Sequence, residues 1–238
     1  MRRYILTGAP GAGKTSILRL LEARGYGVIE EAATAVIARA HARGEAEPWT
    51  RASFLAEIVA LQRSSQAAAA AVAADIQFFD RSPVCTYALA RYLGYPVPAS
   101  LSAEISRITR DQFYERHVFF IRNLGFCEPT AARRISFAES LVFERIHEDS
   151  YRGFGYQLVE IPAGGLAGRV SGIQRRIAEL TGNQLSGAPG EPVRCDSERH
   201  PTRSAPHRTG CSAPPGAVER DEAVRGTGPD GPAMTPSP

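Results

Sequence analysis

Residues Gly8 to Thr15 read GAPGAGKT, a full match to the pattern G-x-x-x-x-G-K-[ST]. What flanks the match gives it meaning. Arg3 to Thr7 (RYILT) is a short apolar run, as expected of a buried first strand. The helix starting at about Gly13 has one apolar face made by Ile17, Leu18 and Leu21, with Gly25 where a C-terminal cap is wanted. Glycines at a strand-to-helix turn let backbone N–H groups face inward around a phosphate, and the helix N-terminus adds partial positive charge behind it. Gly8, Ala9, Pro10, Gly11, Ala12, Gly13, Lys14, Thr15 and Ser16 are therefore expected to hold a nucleotide. Lys14 would reach the β and γ phosphates, and the Thr15 hydroxyl would ligate Mg²⁺. Of the 28 Lys and Arg residues only Lys14 is a lysine. Where lysine has otherwise been replaced by arginine, the survivor marks a place arginine cannot fill.

Outward from this loop, strands and helices alternate. Tyr26 to Glu30 reads as a second strand, followed by a helix through Ala33 to Ala42 and a long helix from Trp49 to about Ala74. Ile76 to Phe79 is a strand ending in Asp80. After Pro83 comes a helix to about Leu93, then a shorter one around Ala103 to Arg110 and a strand at His117 to Ile121. Ser136 and Glu139 form a capping box for a helix that stops near Gly153. Tyr156 to Ile161 is a fifth strand, and Val170 to Leu180 a final helix. The pattern predicts an α/β three-layer sandwich around a five-stranded parallel sheet.

A length of 238 residues suits one such domain plus a tail, and 43% hydrophobic with 22% charged residues is ordinary for a soluble globular chain. The longest apolar run, Ala67 to Ala74, falls far short of the roughly 20 residues of a membrane span. The opening MRRYILTG is cut off by Gly8 before it reaches leader length. A cytoplasmic location follows as the expectation, with Cys85, Cys127, Cys195 and Cys211 as reduced thiols. A net charge of +3 does not point to nucleic acid as a partner. From Asn183 onward the chain holds 10 of its 17 prolines, seven glycines and no Phe, Trp or Tyr. Such a segment has too little apolar area to offset the entropy of ordering. The expectation is a domain over residues 1–182 and a disordered Pro/Gly-rich tail over 183–238, a possible contact for a protein partner.

A second group of residues falls at the other strand ends. In IQFFDRS, Ile76 to Ser82, Asp80 would hold Mg²⁺ through water or act as a base, or would only cap the next helix. Arg81 suits bidentate contact with a hydroxyl or phosphate. Glu30 and Glu31 stand together after strand two: one would deprotonate an acceptor hydroxyl, or both simply favour the helix N-terminus. Arg133 and Arg134 lie in a loop where they would close over a transferring phosphoryl, or remain a solvated pair. Gln62 and Arg63, on the long helix, would read an acceptor or be surface residues. With Lys14 as the sole lysine, no guanine-reading [NT]KxD motif exists, which excludes a Ras-type switch.

The order GAPGAGKT, VIEEAATAVI, FFDRS, TAARRISF and GYQLVEIP resembles the NadR-type AAA-labelled ATPase family over about residues 2 to 180. That family groups with the ribosylnicotinamide kinase domain of the NAD-biosynthesis regulator. The DRS step also resembles the acid-Arg-Ser element of deoxynucleoside kinases, where a carboxylate after strand two serves as base. The resemblance implies a nucleoside-kinase-like P-loop fold that uses ATP and Mg²⁺. Lys14 and Thr15 would serve the nucleotide, Thr15 and Asp80 the metal, Asp80 and Arg81 a place beside it, Glu31 an acceptor, and Arg133 and Arg134 a lid. This chain departs at Cys85, where many relatives carry an aspartate. The function expected is a Mg·ATP-dependent phosphotransferase, or ATPase, acting on a small nucleoside-like hydroxyl acceptor. The alternative is a nucleotide-binding regulatory module without a small-molecule acceptor.

Overall fold

Successive side chains of a strand point to opposite faces of its sheet, so strands apolar at every position need cover on both sides. The stretches Tyr4 to Leu6, Phe78 to Phe79 and Val118 to Ile121 have that character. In the computed structural model, which describes residues 1–126 and 135–185, β1 (Arg2–Thr7), β2 (Gly27–Ile29), β3 (Ile76–Asp80), β4 (His117–Ile121) and β5 (Gln157–Ile161) form one parallel sheet in the order β2-β3-β1-β4-β5. Tyr4, Leu6, Phe78, Phe119 and Ile121 face α1 (Lys14–Ala23) and α7 (Leu166–Leu185), packing with Ile17, Leu21, Val170 and Ile173. Ile5, Phe79 and Val118 face the other way. They meet Val84 and Cys85 of α4 (Pro83–Leu93), Ile108 of α5 (Ala99–Arg110) and Tyr151 of α6 (Phe137–Gly153). The expected three-layer α/β sandwich with five parallel strands is thus the fold observed. A further apolar cluster joins α2 (Ala32–Ala42), α3 (Phe54–Ala68) and α4 through Val36, Phe54, Ile58 and Ala90.

β1 is central, and the chain winds first to the β3 and β2 side and then to the β4 and β5 side. The loops leaving β1 and β4 diverge, which opens a crevice at the C-terminal edge of the sheet. Because all strands are parallel, Gly8, Glu31, Arg81 and Arg122 all follow strand ends on that one edge.

The elements agree with the sequence reading to within a residue except at both ends of α3 and α7 and at the start of α5. Trp49 does not begin the long helix: it sits in a 3₁₀ turn, Pro48–Thr50. Arg51 then runs extended, ion-paired to Glu45 and Glu57, and α3 begins only at Phe54. At its far end α3 stops at Ala68, short of Ala74. The Gln77 side chain, buried in β3, donates to the Ala69 and Val72 carbonyls at 2.7 and 3.3 Å and draws the alanine run into a 3₁₀ turn, Ala69–Ala71. α5 starts directly after Pro98, and α7 spans Leu166–Leu185, beyond both ends of the Val170 to Leu180 helix read from the sequence. The Ser136–Glu139 capping box is present with both of its hydrogen bonds. The Pro/Gly-rich tail expected from residue 183 lies, beyond Leu185, outside the described residues. No helix among the described residues is long and apolar enough to cross a membrane.

Candidate active site

The loop from Gly8 to Thr15 is shaped by close backbone approach. Gly8 has φ +140°, and a Cβ there would stand 2.2 Å from the Ile121 carbonyl oxygen at the end of β4, so no other residue fits. Gly13 takes the left-handed conformation, φ +81°, immediately before α1. Ala9 and Ala12 are buried beneath the loop, while Thr15 and Ser16 are exposed on the first turn of α1. Lys14 is buried, and its ammonium donates to the Gly8 and Ala9 carbonyls at 3.2 and 3.0 Å. Burial, reinforced by the Arg81 charge, pulls its pKa down to about 8, against the pull of Asp80 and Glu31. From behind, Arg169 of α7 braces the loop by donating to the Ala12 carbonyl at 2.8 Å, and it also reaches the Arg122 carbonyl at 2.8 Å.

The second group converges beside Lys14. Asp80 ends β3 with its Oδ1 buried and without a hydrogen-bond partner among the described residues. Burial raises its pKa to about 6; Glu31 adds to the rise, while Lys14 and Arg81 oppose it. Of the two adjacent glutamates, Glu30 is exposed and Glu31 turns into the cleft. Glu31 Oε1 pairs with Arg81 Nε at 2.5 Å, and Oε2 accepts from the Thr34 hydroxyl at 2.9 Å. Burial alone would raise the Glu31 pKa, but the Arg81 and Lys14 charges and the Thr34 donor outweigh it and hold the carboxyl below its usual range. Arg81 is a non-glycine residue at φ 72°. Its backbone N–H donates to Leu6 O at 3.0 Å and its Nη1 to His147 Nε2 at 3.2 Å.

Behind this group lies a buried polar cluster. Ser82 caps α4 by accepting from the Val84 N–H, and its hydroxyl meets the Tyr151 hydroxyl at 2.8 Å. The Cys85 sulfur lies 3.0 Å from Tyr151 OH and 3.1 Å from Thr7 Oγ1. Cys85, at the position where an aspartate was expected among relatives, is therefore a core residue tied to two hydroxyls. Of the pair on α3, Arg63 is exposed. Gln62 is half-buried and accepts from the Thr86 hydroxyl at 3.1 Å, which leaves its NH₂ end as the free donor of the amide. Arg133 and Arg134 lie outside the described residues. Ser82, not Asp80, is the residue that caps α4.

Sequence reasoning missed Ser82, His147, Tyr151 and Arg169. Phe143, His147 and Tyr151 recur every four residues on α6, the spacing of a core stripe, so nothing in the sequence sets the histidine and tyrosine apart. Arg169 had no motif around it. A cavity of about 520 Å³ opens between the end of β5 and α7, lined by Ile161, Pro162, Gly164, Gly165 and Arg169. It adjoins the phosphate loop through Arg169, and neither Glu31 nor Asp80 lines it.

Hard oxygen donors suit Mg²⁺, which keeps several waters and is held by one or two protein groups plus phosphate. The exposed Thr15 hydroxyl and the orphaned Asp80 Oδ1 match that donor set. No cluster of three or more His, Cys, Asp or Glu able to hold a metal occurs among the described residues. A metal here would arrive with the nucleotide.

Three comparisons bear on this arrangement. A family model described as AAA domain matches residues 3–169. No curated protein matches the chain. Among solved structures, a deoxyadenosine kinase from M.mycoides is similar with a TM-score of 0.51 and 12% identity, over 74% of this chain and 99% of that one. An NadR protein solved in complex with NAD and AMP-PNP is similar with a TM-score of 0.56 and 16% identity, over 84% of this chain and 52% of that one. The chain thus spans about half the length of the NadR structure. At these identities the likeness is one of fold, and the fold is the P-loop nucleoside-kinase type.

Proposed function

Because the chain belongs to the AAA-domain family, we propose that its sheet edge works as a Mg·ATP-dependent phosphotransferase, moving the γ-phosphoryl onto a hydroxyl of a small nucleoside-like acceptor. The observation that carries this reading is the Glu31–Arg81 pair. A carboxylate from the end of β2 is fixed at 2.5 Å by the arginine that follows Asp80, beside the buried Lys14. Phosphoryl transfer passes through a loose transition state, so a protein contributes mainly positioning and charge neutralisation. The acceptor oxygen bonds to the γ phosphorus, the bond from that phosphorus to the β–γ bridging oxygen breaks, and ADP leaves. Glu31, ionised throughout the neutral range, takes the hydroxyl proton late in that step. Lys14 and Arg81 offset the spreading negative charge. Mg²⁺, which Thr15 and Asp80 would hold, neutralises phosphate charge when bound.

A nucleoside-like acceptor is supported by the similar structures, a deoxyadenosine kinase and an NadR protein with NAD and AMP-PNP bound. Gln62, oriented by Thr86, offers its NH₂ to an acceptor base. The cavity between β5 and α7 would take the nucleobase of the donor. One observation favours a second reading, a regulatory ATPase without a small acceptor: both Glu31 oxygens are already engaged, by Arg81 and by Thr34.

The test is ADP production from Mg·ATP by the full chain, alone and with a panel of nucleosides and ribosides, with Lys14→Ala as the blank. A compound that raises turnover and gains a phosphate establishes the kinase and names its acceptor. Uniform slow hydrolysis across the panel, abolished in the blank, establishes the regulatory ATPase instead.

A further inference from the structure

We propose that His147 is a positioning residue for phosphoryl transfer, its Nε2 lone pair holding the Arg81 guanidinium and, through it, the Glu31 carboxylate. The starting observation is strain. Arg81 is a bulky residue at φ 72°, a sparsely populated conformation that persists only where surrounding contacts over-determine it. Three contacts do so: the backbone N–H to Leu6 O, the Nε pair with Glu31, and Nη1 to His147. Only the last reaches Arg81 from α6.

The imidazole is built for acceptance. His147 is fully buried, and its Nδ1 lies 2.9 Å from the Phe143 carbonyl, a contact in which Nδ1 must be the donor. The proton on Nδ1 leaves Nε2 as an acceptor, facing an N–H of Arg81. The Phe143 ring packs edge-on at 4.3 Å and fixes the ring plane. Burial, with Arg81 adding to it, lowers the His147 pKa to about 3, so the ring stays neutral and the bond is kept. A neutral acceptor also explains why a histidine stands here instead of an acid. A carboxylate would compete with Glu31 for the guanidinium and cancel its charge, whereas an imidazole orients the cation and leaves its charge for the phosphoryl group. The activity arm of the test rests on the phosphotransferase reading; the orientation of the ring does not.

Two substitutions separate the bonds of the ring, and both fit the space it leaves. In His147→Asn the side-chain amide reaches the position of Nδ1, keeping the Phe143 contact and losing the acceptor for Arg81. In His147→Gln the amide oxygen reaches the position of Nε2 and keeps that acceptor. The measurements are kcat and KM for Mg·ATP on the full chain, with thermal unfolding midpoints alongside. Leaving a buried guanidinium N–H unpaired should lower kcat about tenfold or more in the Asn variant, with KM within about twofold, while the Gln variant stays within about threefold of wild type. An Asn variant with wild-type kcat, or a Gln variant as slow as the Asn one, overturns the proposal. The ring itself gives a readout that needs no acceptor: nitrogen-15 NMR of the imidazole should report a neutral Nδ1–H tautomer from about pH 5 to pH 9. A ring protonated on Nε2, or titrating within that range, also overturns it. If wild type transfers phosphoryl to nothing, the functional reading fails alone, and basal hydrolysis together with the NMR signal still decides the role of His147.

Discussion

The two halves of the proposed site, one for the nucleotide and one for the acceptor, are made of different material. The nucleotide half, as proposed, is built on one contiguous segment, Gly8 to Ser16, whose working parts are backbone N–H groups exposed by glycines, with the Lys14 ammonium and the Thr15 hydroxyl added and Asp80 of β3 beside them. The acceptor half is assembled from separate elements. Glu31 comes from the end of β2, Gln62 from α3, Arg81 from the end of β3, Thr86 from α4 and His147 from α6, and each is held by another side chain. A device made of backbone has no graded failure: one misplaced Cβ closes it. A device made of paired side chains fails by degrees, as each pair is lost.

The sharpest way to break that contrast is Gly8→Ala. The added Cβ would lie 2.2 Å from the Ile121 carbonyl, a rigid backbone atom, in a residue that L side chains strain to occupy. Expected are loss of detectable ATP binding by calorimetry and a fall in stability of about 3 kcal/mol or more. Gly25→Ala is the control. It also has a positive φ, +87°, but open space around the Cβ position, so it should cost only about 1 kcal/mol and leave ATP binding intact. Retained binding in the Gly8 variant would mean that the loop relaxes away from β4.

Next in size is the glutamate doublet. Glu31→Gln removes the base and the partner of Arg81 and should lower phosphoryl transfer about a hundredfold with nucleotide affinity retained. Glu30→Gln, on the exposed neighbour, should change turnover by less than about twofold. Equal losses in the two would dissolve the distinction, and unchanged turnover in the first would remove Glu31 from the chemistry.

The same division decides what could be read from the sequence. The alternation of apolar strands with amphipathic helices, and a glycine-rich loop of eight consecutive residues, placed the sheet, both of its covering layers and the turn from β1 into α1. What could not be read depended on contacts across the chain. The doublet at Glu30 and Glu31 could not be resolved without knowing that Arg81 reaches one of them. The end of α3 could not be placed without Gln77, a β3 residue that captures carbonyls of the alanine run. His147 and Tyr151 have the spacing of core residues, and only the arrival of Arg81 and Ser82 makes them polar partners.

The pH dependence of kcat/KM for Mg·ATP probes the nucleotide half at the next scale. Burial pushes Asp80 up to about 6 and Lys14 down to about 8 in the free protein. Below the first value the carboxyl is protonated and cannot take up Mg²⁺; above the second the lysine is uncharged and no longer attracts phosphate. The value of kcat/KM should therefore fall about tenfold per pH unit on either side of that window. The profile of kcat itself should be broader, since bound phosphate and metal favour the charged forms of both groups. Two limbs at the ordinary positions of Asp and Lys would show that burial does not govern these groups.

The smallest expected effect lies in the acceptor half, at Thr86→Val. The hydroxyl donates to Gln62 Oε1 and so decides which end of the amide faces the cleft. Losing it frees the amide to rotate without removing it, so the acceptor KM should rise about threefold to tenfold, the worth of one net hydrogen bond. The value of kcat and the affinity for ATP should stay unchanged. Gln62→Leu removes the donor itself and should raise the acceptor KM further. A Thr86 variant that leaves the acceptor KM untouched while Gln62→Leu raises it would mean that the acceptor orients the amide on binding. If neither variant moves it, α3 does not read the acceptor, and the specificity of this half has to come from the Glu31–Arg81 end of the cleft alone.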